Sequence, residues 1–131
     1  MSVEYTYDEE RNILHTRFFG VVIGEDLRDQ AEAVAGDPRI KPGARELVDL
    51  ADIEKVEGSS SALSDNIRID CAHSEKLVGM RTAIVAGTDF LFGFARMYKS
   101  LAELEESPIT VEVFRTFGEA REWLGLQDGE V

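Results

Sequence analysis

A glycine-serine stretch and two acidic turns carry the side chains of this chain that are best suited to bind a ligand. The stretch 58–61 follows one apolar run, Thr88 and Asp89 follow another, and Asp49 lies within the first. Ligands of open α/β sheets bind beyond the carboxyl ends of the strands, where helix N-termini offer N–H groups to an anion. These residues therefore form a candidate strand-end cleft for a small molecule, a phosphate group or a protein partner.

The same residues also fit ordinary turns and helix caps. A serine that precedes a helix accepts a hydrogen bond from an otherwise unpaired backbone N–H group. The carboxylates of Glu57 and Asp89 would oppose a bound anion. The cap interpretation and the cleft interpretation both remain open at this point.

No catalytic or metal-binding signature accompanies these turns. His15 and His73 lack the Cys and His spacing of zinc sites, and Cys71 lacks a base at helical spacing. The pair Asp49 and Asp52 has no identifiable catalytic partner, and the nucleophile-elbow, phosphate-loop and dinucleotide motifs do not occur. The sequence predicts a protein that is not an enzyme and needs no cofactor or metal.

Three short apolar runs, each followed by a helical pattern, predict the elements that position these turns. The runs cover residues 44–50, 81–86 and 109–114, and the centre of the first, Leu47 and Val48, is apolar as in a strand buried on both faces. Before them, residues 3–7 and 13–19 predict an antiparallel hairpin, and Gly20 interrupts the second strand. We expect a single-domain α/β fold of order β-β-α-β-α-β-α-β-α, with a mixed sheet that is parallel after the hairpin.

The helix predicted after Thr88 has the broadest apolar face of the chain. Two stripes recur at helical spacing: Phe90, Phe94, Met97, Leu101 and Leu104 form one, and Leu91, Ala95, Tyr98 and Ala102 form the other. Both stripes are therefore expected to be deeply packed.

Phe92 falls on the polar side of that helix at about 100° per residue. It is interpreted either as a contact with a partner or with a second copy, or as a side chain covered by a nearby loop.

Composition restricts the partners and the location. The chain has 131 residues and a net charge of −12, which repels nucleic acid and anionic lipid at long range. No apolar stretch approaches the roughly 20 residues of a membrane span, and the first residues do not resemble a signal peptide. We expect a cytoplasmic protein with one domain in residues 1–125 and an acidic tail in residues 126–131.

The order and spacing of several stretches carry a resemblance to a known family. The stretches are 13–27, 46–50, 81–86, 92–98, 113–114 and 120–124. Together they resemble the STAS/SEC14-type family related to the anti-sigma-factor antagonists, over nearly the whole chain. The resemblance implies a STAS-like fold and a non-catalytic regulatory module that acts by protein–protein interaction, including self-association as a homodimer. Its SEC14 side implies the alternative of a small apolar or lipid-like ligand.

In the antagonist branch of that family, the central strand leads to an Asp-Ser-Ser-Gly loop whose serine is phosphorylated by a partner kinase. The corresponding stretch here is Glu57, Gly58, Ser59 and Ser60, in which the order of residues differs. Glycine stands nearest the position of the phosphorylated serine. The resemblance leaves Ser59, Ser60 or Ser61 as candidates for such a modification, and a phosphate at a helix N-terminus is electrostatically favourable.

Overall fold

The computed structural model describes residues 2–58, 60–127 and 130. The strands within these residues are β1 (Val3–Asp8), β2 (Ile13–Ile23), β3 (Arg45–Glu57), β4 (Arg81–Val85) and β5 (Thr110–Phe114). The helices are α1 (Gly24–Gly36), α2 (Ser60–Ala72), α3 (Ser74–Leu77), α4 (Asp89–Leu104) and α5 (Phe117–Leu124). The short helix α3 was not expected from the sequence. The division into a domain and an acidic tail stays a prediction, and the tail lies partly outside the described residues.

The strands form one mixed sheet in the order β1-β2-β3-β4-β5. Strands β1 and β2 pair antiparallel, and every later neighbour pairs parallel. Consecutive parallel strands lie side by side because each crossover carries a helix back over the sheet. The predicted α/β class, with its N-terminal hairpin and parallel remainder, is confirmed.

Helices cover the two faces of this sheet unequally, and strand periodicity decides which side chain meets which helix. Neighbouring residues of a strand point to opposite faces, so Val48 joins the core beneath α2 and α4 while Leu47 packs against α5. Helix α1 also lies on the face of Val48, in contact with β2 and α2. A three-helix layer therefore covers one face, and α5 covers the centre of the other.

Strands β2 and β3 extend together beyond the end of β4. The sequence predicted that the strand beginning at residue 44 would end at Leu50, but β3 continues to Glu57 and stays paired with β2 as far as Ile23. The ladder tolerates this length through irregularities in register near Gly20, whose φ is +65°. Gly20 therefore bends the strand instead of ending it. This two-stranded extension forms a wall along the three-helix layer.

The two apolar stripes on α4 differ in burial. Leu91, Ala95 and Ala102 are buried, whereas Phe90, Met97 and Leu104 are 65%, 40% and 78% exposed. The expectation that both stripes are deeply packed is wrong for these three. The reason is the position of the helix: α4 packs over β5, the edge strand of the sheet, so the described residues place no further element on its outer side.

Replacement of Gly20 by Ala should destabilise the protein, because a Cβ atom at positive φ costs about 1–2 kcal/mol. Gly36 is the matched control, since an added Cβ meets nothing within 4 Å at either position and Gly36 lacks the positive φ. Urea unfolding should give a lower free energy of unfolding for Gly20→Ala and an unchanged or higher one for Gly36→Ala. Equal effects would contradict the assigned role of Gly20.

Candidate functional site

The residues of the predicted strand-end cleft are spread along the fold. Asp49 lies where β3 still pairs with β4, and its carboxylate accepts a hydrogen bond from the N–H group of Ala51 at 2.8 Å. Gly58 follows the end of β3, nine positions after Asp49, and each position adds about 3.3 Å of extended chain. Gly58 instead lies beside the start of α1, close to the backbone of Gly24. Ser59 lies outside the described residues.

The other predicted cleft residues stand at helix starts. The hydroxyl of Thr88 accepts from the N–H group of Leu91 at 3.2 Å and caps α4. Asp89 is exposed and pairs with Arg115 at 2.9 Å. Ser60 and Ser61 open α2 on the protein surface. The strand-end cleft and the modification of a serine both stay predictions.

Phe92 is half-buried and packs against the main core. The guanidinium carbon of Arg115 lies 4.2 Å from its ring centroid and that of Arg96 lies 6.0 Å from it. These distances are those of cation–π contacts. Phe92 thus has neighbours that cover it, and the exposed aromatic side chain of α4 is Phe90.

A cavity of about 80 Å³ opens between the three-helix layer and the sheet. Its wall is mainly apolar and includes Phe18 and Val22 of β2, Ile53 and Val56 of β3, and Phe94 of α4. One water molecule needs about 10–15 Å³ of cavity volume, so the cavity has room for several water molecules or a small apolar group. The extension of β2 and β3 builds one side of this cavity, and the helices build the other.

One side of the cavity is polar, with a buried carboxyl group at its centre. Glu46 is 5% exposed and lies in the middle of the sheet. Its two oxygens accept hydrogen bonds from Thr16 at 2.6 Å, Thr82 at 2.9 Å and Gln30 at 3.3 Å. Thr82 stands directly opposite Glu46 in the ladder of β3 and β4. Three strands and α1 therefore converge on one side chain.

Two further polar groups, Asn66 and Tyr98, tie the helices together above Glu46. The Asn66 amide donates to the carbonyl of Leu27 at 2.7 Å and accepts from the Tyr98 hydroxyl at 2.9 Å. Helices α1, α2 and α4 meet through these bonds. Asp70, one turn after Asn66, is also 5% exposed.

Burial raises the pKa of Glu46, Asp70 and Tyr98. Loss of water raises the pKa of Asp70 to about 8, and the nearby Glu46 carboxyl adds to the effect. Burial likewise raises the pKa of Glu46, although the three hydrogen bonds that it accepts oppose the shift. Burial raises the pKa of Tyr98 well above its usual value. Charged forms are costly here because the surroundings are poorly polarisable.

Sequence reasoning missed this polar cluster, although a signal was present. Asn66 and Asp70 break the apolar stripe of α2 at a spacing of four residues, and in the sequence they indicate only a weaker helix. A pair of polar residues at core positions is expensive unless both side chains find partners or lie in a polar site. Glu46 likewise occupies a buried position of β3, whose other buried residues, Leu47, Val48 and Leu50, are apolar.

The described residues offer little else for bond-making chemistry. No group of three or more His, Cys, Asp or Glu side chains that could hold a metal ion occurs among them. Burial raises the pKa of the Cys71 thiol, which disfavours the reactive thiolate.

Among the same described residues, no helix is long and apolar enough to cross a membrane.

A comparison with solved structures finds the same fold. An uncharacterised protein of the DUF3478 family from Shewanella loihica PV-4, described as having a SpoIIAA-like fold, superposes with a TM-score of 0.58. The match covers 94% of each chain at 16% sequence identity. No family model and no curated protein matches the chain. The fold of this chain is therefore SpoIIAA-like, as the STAS-type resemblance implied.

Stability should fall as pH rises, because folded Asp70 keeps a proton that the unfolded chain releases above about pH 4. Between about pH 4 and the folded pKa of about 8, the folded state binds more protons than the unfolded chain. Each such proton lowers the free energy of unfolding by about 1.4 kcal/mol for every unit of pH increase. Glu46 acts in the same direction. Urea unfolding from about pH 5 to 8 should show this decline in the wild type.

Replacement of Asp70 by Asn should flatten the decline and make the variant the more stable protein at the alkaline end. Asp29, exposed on α1, provides the control, and Asp29→Asn should keep the wild-type slope. Identical slopes for wild type and Asp70→Asn would show that Asp70 is ionised in the folded protein.

Proposed function

We propose that this SpoIIAA-like domain is a non-catalytic binding module that holds a small apolar molecule in the cavity between its sheet and its helices. The cavity itself is the observation that supports the proposal. Binding sites for small molecules are concave, mainly apolar and supplied with a few polar groups that orient the ligand. The wall formed by Val22, Ile53, Val56 and Phe94, with polar groups on one side, has this character.

The walls of the cavity also favour access from solvent. Leu27, Ile53, Val56 and Phe94 are only partly buried although they line it, and they belong to α1, β3 and α4. Apolar surface of this kind gains about 25 cal/mol for each Å² that a ligand removes from water. The SEC14 side of the family resemblance points to the same class of ligand.

Replacement of Ile53 by Trp should fill the cavity and reduce binding of the neutral apolar fluorophore N-phenyl-1-naphthylamine by about tenfold or more. Val78 is the matched control, because it is an exposed branched apolar residue that does not line the cavity. Fluorescence titration of wild type, Ile53→Trp and Val78→Trp measures the effect. A wild type that binds no fluorophore, or an Ile53→Trp variant that binds as the wild type does, would contradict the proposal.

A second candidate function, regulation through self-association, is favoured by the exposed stripe of α4. Phe90, Met97 and Leu104 recur every seven residues and are exposed, with Phe94 and Leu101 partly exposed beside them. A seven-residue apolar repeat is typical of a helix that packs against another helix. The partner that fits this repeat is α4 of a second copy of the chain. Such a contact agrees with the homodimer that the resemblance implies, but it would lie at Phe90, Met97 and Leu104 and not at Phe92.

Replacement of Met97 by Glu should convert a wild-type dimer to a monomer, because it places a charge in the centre of the proposed seam. Phe92→Ala is the matched control and should leave the dimer intact, since Arg115 already covers that ring. Sedimentation equilibrium measures both. Higher salt should strengthen the wild-type dimer, because it screens the repulsion between two chains of charge −12. A monomeric wild type at every salt concentration would exclude self-association.

A further inference from the structure

We infer that the ligand of this cavity carries a positively charged nitrogen that donates hydrogen bonds to Glu46. The inference rests on the proposed apolar-ligand function and specifies the polar end of the ligand. It follows from the numbers of donors and acceptors on the polar side of the cavity, from the charges buried there and from the length of the wall.

Hydrogen-bond acceptors exceed donors on this side of the cavity. An ionised carboxylate has about four acceptor sites, and Glu46 uses three of them for Thr16, Thr82 and Gln30. The hydroxyls of Thr82 and Tyr98 already donate, to Glu46 and to Asn66, and each keeps lone pairs that can accept. The sites left free on Glu46, Thr82 and Tyr98 are acceptors, so a ligand group that contacts these three side chains does so by donating hydrogen bonds.

Charge selects among the possible donors. Glu46 is a buried carboxyl group on the wall of the cavity, and Asp70 is a second buried carboxyl group that does not line it; each is 5% exposed. None of the ion pairs formed within the described residues involves either of them. A bound cation would supply the missing opposite charge, and a charge-assisted hydrogen bond is about twice as strong as a neutral one.

The same arrangement rejects anionic amphiphiles. No Lys or Arg occurs among the residues that line the cavity, so a carboxylate or phosphate head would find no cationic partner there. The net charge of −12 acts in the same direction at longer range, because it attracts cations and repels anions.

The shape of the cavity favours a nitrogen at one end of an apolar chain. Glu46 and Thr82 stand side by side in the centre of the sheet, whereas Ile53 and Val56 belong to the extension, seven and ten residues further along β3. Ile53 and Val56 therefore extend the apolar wall along the strand beyond the polar side chains. A primary alkylamine combines these features and is charged near neutral pH, as the amine of lysine is.

Calorimetric titration with octylamine, octanol and octanoate tests the inference, since the three molecules share one chain length and differ in the head. Octylamine should bind about tenfold or more tighter than octanol, and octanoate should bind weakest. Binding of octylamine should also release protons from the carboxyl groups, so its measured heat should depend on the ionisation enthalpy of the buffer.

Glu46→Gln should remove the preference for the amine, so that octylamine binds to the folded variant no tighter than octanol does. Glu54 provides the matched control, because it is an exposed carboxylate on the same strand that does not line the cavity. Glu54→Gln should therefore keep the preference for the amine. Circular dichroism of both variants checks that the fold is retained.

The outcomes separate the two proposals. If none of the three molecules binds, the apolar-ligand function fails and the inference fails with it. If all three bind equally, if octanoate binds best, or if folded Glu46→Gln keeps the amine preference, the inference fails while the apolar-ligand function stands.

Discussion

The burial of one carboxyl group, that of Glu46, is the constraint on which the arrangement of this domain depends. A buried acid is costly unless hydrogen bonds compensate for the water it loses, and here they come from three different elements. Thr16 belongs to β2, Thr82 to β4 and Gln30 to α1. The hydrogen bonds therefore join the centre of the sheet to the helix layer, and a buried network of this kind specifies one arrangement of its elements.

The same network explains why space remains between the sheet and the helices. Where apolar side chains alone meet, as Leu47 does with Ala120 and Leu124 beneath α5, they form one continuous core cluster, as close packing of protein interiors leads one to expect. On the opposite face, Asn66 and Tyr98 connect the helices to one another through directional bonds. Directional hydrogen bonds fix the distances between the helices, which dense apolar packing would otherwise shorten. The long extension of β2 and β3 adds to the wall of the cavity beyond the end of β4. The cavity is thus a consequence of polar groups placed at core positions.

The sheet and most of its order could be predicted from local patterns. The runs at residues 44–50, 81–86 and 109–114 each overlap one of the strands β3, β4 and β5. The continuation of β3 to Glu57 could not be predicted, because it depends on pairing with β2 past Gly20. The exposure of Phe90, Met97 and Leu104 could not either, because periodicity finds an apolar stripe without showing whether anything covers it.

The sequence by itself determined the fold class, the order of the elements and the acidic charge, since these follow from residue types and from spacings of a few residues. Tertiary structure alone decided where a ligand could bind. Residues 30, 46, 66, 82 and 98 are distant along the chain, and no local pattern relates them, yet they meet at one cavity. The predicted strand-end residues are neighbours of strand ends in sequence, but the length of β3 carries Gly58 away from Asp49. Local periodicity encodes which face of an element is buried, whereas a site requires side chains from several elements to converge, and only the packed sheet and helices bring them together.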